Sequence, residues 1–100
     1  AEIERVLRGF PEVREAAVVG VADPQWGETP VAVIVPSAEG ACDPRALLDR
    51  FDGRLARYKH PKSVVLVAAL PRNALGKIQL DKVRKMAEDA LAREIELKKA

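Results

Sequence analysis

An α+β fold is predicted for this 100-residue chain: a small sheet of about three strands covered by helices, in the order α-β-β-α-β-α. Three observations predict it. Apolar residues recur at helical spacing near both ends and in the middle, short runs rich in Val and Ala lie between them, and Pro or Gly marks the junctions.

Each element has its own warrant. Ile3, Val6, Leu7 and Phe10 fall at i, i+3, i+4 and i+7, which predicts a helix over residues 2–10, ended by Pro11. Residues 13–21 (Val13, Ala16, Ala17, Val18, Val19, Val21) suit a largely buried strand, and residues 29–35 a second one stopped by Pro36. The turn residues Asp23, Pro24 and Gly27 join them closely enough to require antiparallel pairing. After a loop over 37–42, Asp43 is placed as an N-cap with Pro44 at the first helical position. Leu47, Leu48, Phe51 and Leu55 then give that helix its apolar face, although Gly53 weakens it by about 1 kcal/mol relative to Ala. Pro61 closes a basic connection, residues 63–70 form the third strand, and residues 71–77 form a loop. The last helix opens at Leu80 or Asp81 and buries Val83, Met86, Ala87, Ala90 and Leu91. One domain over 1–91 and a fraying, charge-alternating helical tail over 92–100 are expected.

Composition excludes several classes. One cysteine, Cys42, permits no internal disulfide framework or Cys-rich zinc site, and one histidine, His60, permits no His-based metal cluster. No apolar run approaches the roughly 18 residues of a membrane span. Residues 1–5 carry acids and no hydrophobic stretch, so no signal peptide is expected and a reducing, cytoplasmic setting is. The net charge of +2 hides an asymmetry. Residues 50–85 hold ten Lys/Arg against Asp52 and Asp81, a local balance of +8, while the rest of the chain balances at −6. Such a split either gives the folded domain a positive face for an anionic partner or is a solvated surface whose charges cluster. Nucleic-acid binding has no recognised docking motif here.

The loop 71–77 is the most informative stretch. Gly76 permits positive φ and so a tight turn that aims Lys77 outward, although Arg72 and Ile78 stand where a phosphate-cradling Walker loop needs Gly and Ser/Thr. On residues alone it reads as an exposed lysine after a turn or as an aimed cation, and the first reading is favoured. Trp26, in a turn, either plugs the core or stacks on a ligand. Tyr58, Lys59, His60 and Lys62 mix a stacking face with charge, which suits a nucleotide or simply a polar connection. Cys42 has no neighbouring His or acid and reads as a bystander thiol, and His60 as a surface residue.

Taken in order, these segments resemble the C-terminal domain of the acyl-CoA synthetase branch of the adenylate-forming, AMP-binding enzymes. The stretches that carry the resemblance are Glu2-Ile3-Glu4, Glu15-Ala16-Ala17-Val18-Val19-Gly20-Val21-Ala22-Asp23, Trp26-Gly27-Glu28, Tyr58-Lys59-His60-Pro61-Lys62 and Leu70-Pro71-Arg72-Asn73-Ala74-Leu75-Gly76-Lys77. Each is weak alone; their order and spacing over about nine tenths of the chain are specific. The look is nearest to malonyl-CoA synthetases and 4-chlorobenzoate–CoA ligase-like members, with Gln79 departing from the Arg-containing ending common in other branches. Peptide-synthetase adenylation domains usually read Thr-x-Asn-Gly-Lys at this loop, and this chain does not.

The resemblance implies a domain of a larger ligase, its large N-terminal adenylation domain lying outside this chain. In that family a carboxylic acid attacks the α-phosphate of ATP to give acyl-AMP and pyrophosphate, and CoA then displaces AMP. The small domain rotates between the two steps. By resemblance Lys77 is the adenylation lysine, positioned by Pro71 and Gly76. Trp26 and Tyr58 flank CoA and Lys62 meets its phosphates, while His60, where a relative has a stronger cation, adds charge only when protonated. The Pro-x4-Gly-Lys pattern is also similar to a site where some members are switched off by lysine acetylation. ATP and CoA are the implied cosubstrates, with Mg held by the parent and no ligands for it evident here. The implied partners are the adenylation domain and a small carboxylic acid, and the fragment alone is expected to be inactive. The alternative is a free-standing CoA or carrier-protein binding module without catalysis.

Overall fold

In the computed structural model the described residues are 2–25, 27–37, 43–51, 53 and 61–99, with the side chains of 94–99 excepted. Helix α1 (Glu2–Arg8) has acids in its first turn and Arg5 and Arg8 in its last, each suited to the end of the helix dipole where it sits. It stops two residues short of the predicted end. Gly9 N–H bonds Val6 O at 3.1 Å and Phe10 N–H bonds Leu7 O at 3.0 Å, so the chain tightens by i→i−3 bonds before Pro11 while Phe10 stays buried.

Strands β1 (Val13–Asp23) and β2 (Gly27–Pro36) form the expected antiparallel hairpin, and the ladder runs past the predicted ends to Asp23↔Gly27. Asp23 Oδ1 accepts from Gln25 N–H at 2.8 Å, and Gly27 takes φ +79°, which only glycine adopts without strain. Helix α2 (Pro44–Asp49) begins as predicted: Asp43 is the N-cap, its carboxylate accepting from Arg45 N–H at 3.0 Å, and Pro44 opens the helix. It ends at Asp49, well before Leu55. Phe51 N–H reaches back only three residues to Leu48 O, and Gly53 stands at φ +82°, outside any right-handed helix. Leu55 lies outside the described residues. Replacing the cap, Asp43→Ala, is expected to lower unfolding free energy by about 1 kcal/mol in a urea titration.

Strand β3 (Ser63–Leu66) adds parallel to β2, giving the order β1-β2-β3. The predicted strand 63–70 is thus four residues too long. Leu66 pairs with Ile34, and Pro36, with no N–H to donate, ends the ladder on the β2 side. Helix α3 (Leu80–Lys99) starts where predicted, with Gln79 O accepting from Lys82 and Val83 N–H at 3.1 Å each. Val83 and Ala87 are buried, whereas Met86, expected in the same stripe, is only half-buried at its margin.

The sheet is covered on both faces. Ala16, Ala32, Ile34 and Val64 pack on one side against Ile3, Leu7 and Phe10 of the α1 segment and Leu47 and Phe51 of the α2 segment. Ala17, Val19, Val21, Val31, Val33, Val35 and Val65 pack on the other against Val83 and Ala87 of α3 and against Leu70. That is why Val31 to Val35 is an uninterrupted apolar run rather than an alternation: the central strand meets a core on each side.

Candidate functional site

The loop after β3 is a miniature hairpin that delivers the chain directly into α3. Arg72 and Ile78 form an antiparallel bridge, and Gln79 N–H donates to Pro71 O at 2.9 Å. Inside it Asn73 bonds four ways. Its N–H donates to Lys77 O and its carbonyl accepts from Gly76 N–H, both at 2.9 Å. Its side-chain Oδ1 accepts from Leu75 N–H at 2.9 Å and Lys77 N–H at 3.0 Å. Lys77 is therefore held at both backbone groups while its side chain is exposed.

Gly76 sits at φ +83° with nothing within 4 Å of where a Cβ would stand, so the backbone angle, not space, requires glycine. Pro71 anchors the loop through its carbonyl. Arg72 Nη1 donates to Gly76 O at 2.8 Å, and Nη2 pairs with the Glu15 carboxylate on β1. A depression of about 380 Å³ opens beside Lys77, floored by Ala16 and Ala17 and flanked by Glu4, Arg8, Arg72 and Leu80.

Lys62 lies elsewhere. Its ammonium pairs with Asp23, whose side chain is 7% exposed, and its N–H donates to Pro30 O at 2.8 Å. The adjoining cavity, about 510 Å³, is lined by Val21, Thr29, Ser63, Glu88 and Leu91 among others. Lys77 is set against the first half of β1 and Lys62 against its last residues, about 20 Å apart at the rise of an extended strand. The predicted site residues that are described fall into two places. Pro71, Gly76 and Lys77 come together; Lys62 stands apart; Trp26 and Tyr58, with Cys42 and His60, lie outside the described residues.

Three cations of the basic stretch are paired among the described residues. Arg50 pairs with Glu12, Lys62 with Asp23 and Arg72 with Glu15, so acids around β1 neutralise three of its cations. Arg50 also lies over the Phe10 ring, 4.1 Å from its centroid. Lys77 has no carboxylate or other side-chain partner among the described residues and remains available to an incoming anion. Sequence reasoning missed the Asp23 and Glu15 pairings, which span 39 and 57 residues. The Asn73 keystone had a readable signal, an Asn three residues before a turn glycine. Among the described residues no three His, Cys, Asp or Glu side chains group as metal ligands, and no helix is long and apolar enough to cross a membrane.

Residues 2–77 match the family described as AMP-binding enzyme C-terminal domain. The chain is 49% identical over 86 residues to indoleacetate–CoA ligase of Aromatoleum aromaticum, covering 86% of this chain and 17% of that protein. It is 44% identical over 78 residues to long-chain-fatty-acid–CoA ligase FadD13 of Mycobacterium tuberculosis, 78% of this chain and 15% of that one. The crystal structure of apo MatB from Rhodopseudomonas palustris superposes with a TM-score of 0.82 at 39% identity, over 89% of this chain and 18% of that one. The chain thus spans about a sixth of the length of the relatives it matches.

Proposed function

We propose, from the premise that this chain belongs to the AMP-binding enzyme C-terminal domain family, that it is the mobile small domain of a cytoplasmic, ATP-dependent acyl-CoA synthetase. In this reading Lys77 serves the adenylation step, and Lys62, with Trp26 and Tyr58, serves CoA. One observation carries it: a lysine without a side-chain partner among the described residues, on a loop whose backbone is closed at every turn. A carboxylate and a triphosphate repel as they approach, and charge shifts among the phosphate oxygens as the P–O bond to pyrophosphate breaks. A flexible ammonium placed between them stabilises that arrangement more than it stabilises the separated reactants. The lysines' positions near opposite ends of β1 suit two steps that use different faces of one domain.

The relatives act on indoleacetate and on long-chain fatty acids, by their names, yet resemble this chain to a similar degree. The acyl specificity is accordingly assigned to the large domain rather than to this one.

The test separates the half-reactions in the full-length parent. With Lys77→Ala, loss of acid-dependent ATP–pyrophosphate exchange and retention of thioester formation from supplied acyl-AMP support the reading. Unchanged exchange returns Lys77 to the ordinary surface lysines and favours a CoA or carrier-protein binding module. Lys62→Ala is expected to do the reverse, leaving exchange intact and raising KM for CoA several-fold. An exposed charge contact is worth only about 1 kcal/mol, and here Asp23 already competes for the ammonium.

A further inference from the structure

We propose that Glu15 and Arg72 form a positioning latch that fixes the Lys77 loop to the sheet. The inference rests on the reading of Lys77 as the adenylation lysine.

The strand register carries the first part of the argument. Val13 pairs with Pro36 and Glu15 with Val35, so Arg14 is an extra residue, bulged out of the ladder. Side chains two apart in a regular strand share a face. Val13 packs in the cluster beside Phe10, on the α1 and α2 side, yet Ala17, Val19 and Val21 pack on the α3 side. The change of face occurs at the bulge. Glu15, two residues before Ala17 in the unbroken part of the ladder, shares the face of Ala17, where the loop between β3 and α3 lies, and the bulge turns Val13 alone to the other side.

The geometry of Arg72 carries the second part. One guanidinium nitrogen pairs with Glu15 and the other donates to the carbonyl of Gly76, the residue just before Lys77. The guanidinium is a rigid planar fork, so fixing one arm orients the other. A carboxylate on the sheet thereby sets the direction of the peptide from which Lys77 departs. Asn73 closes the loop on itself, but it bonds only within 73–77 and does not tie the loop to β1. Glu15 and Arg72 are partly open to water, with side chains 32% and 42% exposed, so the pair does little for overall stability and its effect is on orientation. Neither residue need touch substrate.

The test uses the full-length parent carrying Glu15→Ala, Arg72→Ala, both together, and Glu15→Gln as the shape-preserving variant. Each alanine variant is expected to lower the maximal rate of ATP–pyrophosphate exchange about 10-fold with KM for ATP unchanged, since misplacement by an ångström is costly in an oriented reaction. The double variant is expected to fall no lower than the worse single one, because either removal opens the same latch. Glu15→Gln, which keeps an acceptor oxygen, is expected to retain an intermediate rate. Hydrogen exchange of the peptide spanning residues 71–79 is expected to quicken about 10-fold in Glu15→Ala while the rest of the domain keeps its protection. Losses that multiply in the double variant, or an unchanged exchange rate over 71–79, overturn the latch. If instead Lys77→Ala leaves pyrophosphate exchange intact, the functional reading falls, and the hydrogen-exchange arm still decides whether Glu15 holds the loop.

Discussion

Lys77→Ala in the full-length parent is expected to slow acid-dependent ATP–pyrophosphate exchange by about 10²–10³, the usual loss when one preorganised charge contact to a transition state is removed, or roughly 3–4 kcal/mol. Thioester formation from supplied acyl-AMP is expected to persist, because that step no longer brings a carboxylate to a triphosphate. The substituted series separates charge from shape. Lys77→Gln keeps length and loses charge, and is expected to match the alanine variant. Lys77→Arg keeps charge on a planar, bulkier head and is expected to recover only part of the rate. None of the three disturbs the loop backbone, since Asn73 holds the N–H and carbonyl of position 77 and the side chain is exposed. A rate loss in Lys77→Ala with unchanged hydrogen exchange over 71–79 therefore reports chemistry rather than misfolding.

Phe51→Ala is expected to be the most damaging single change to the fold. Phe51 is fully buried and meets Phe10 edge-to-face, centroids 6.0 Å apart and planes at 73°. It joins α2 to α1 beneath the sheet, in the cluster that also holds Leu7, Ile34 and Leu47. Truncating such a ring costs about 3–5 kcal/mol from lost burial and the cavity left behind. Domains of this size are stable by about 5–15 kcal/mol in total. Thermal unfolding of the purified domain is expected to shift down by roughly 12–40 °C, taking about 4–8 °C per kcal/mol. Phe51→Leu, which refills much of the volume, is expected to shift it far less. A shift below 5 °C would show that the α1–α2 side is not a packed core.

How far the chain could be read in advance depended on the range of the interactions involved. The helix over 2–10, the hairpin, the Asp43–Pro44 start of α2 and the entry to α3 were legible because local periodicity and capping chemistry specify them. The ends were not. β3 stops where Pro36 on its neighbour withholds an N–H, and α2 stops at Asp49, short of Gly53 at positive φ. The burial of the sheet on both faces was foreshadowed by the Val31–Val35 run.

At the candidate site the Pro71-to-Lys77 loop was legible as a turn presenting a lysine, whereas the part played by Asn73 was not singled out. Glu15 was not legible, because its partner Arg72 lies 57 residues away in the chain. The pairing of Lys62 with Asp23 was equally hidden, since 39 residues and a parallel crossover separate the partners.

The place of β3 in the sheet has a consequence for how the chain is made. The hairpin of β1 and β2 is local and closes on a microsecond scale, but the parallel partner of β2 leaves the ribosome only after residues 37–62 have been synthesised. Until then β2 has one naked edge with five consecutive Val, Ala and Ile residues, Val31 to Val35, and no charge among them. That is the composition that recruits other nascent chains into cross-strand aggregates. Truncations ending before residue 63 are therefore expected to precipitate on expression, and a chaperone that shields apolar strands is expected to raise the yield of anything shorter than the whole sheet.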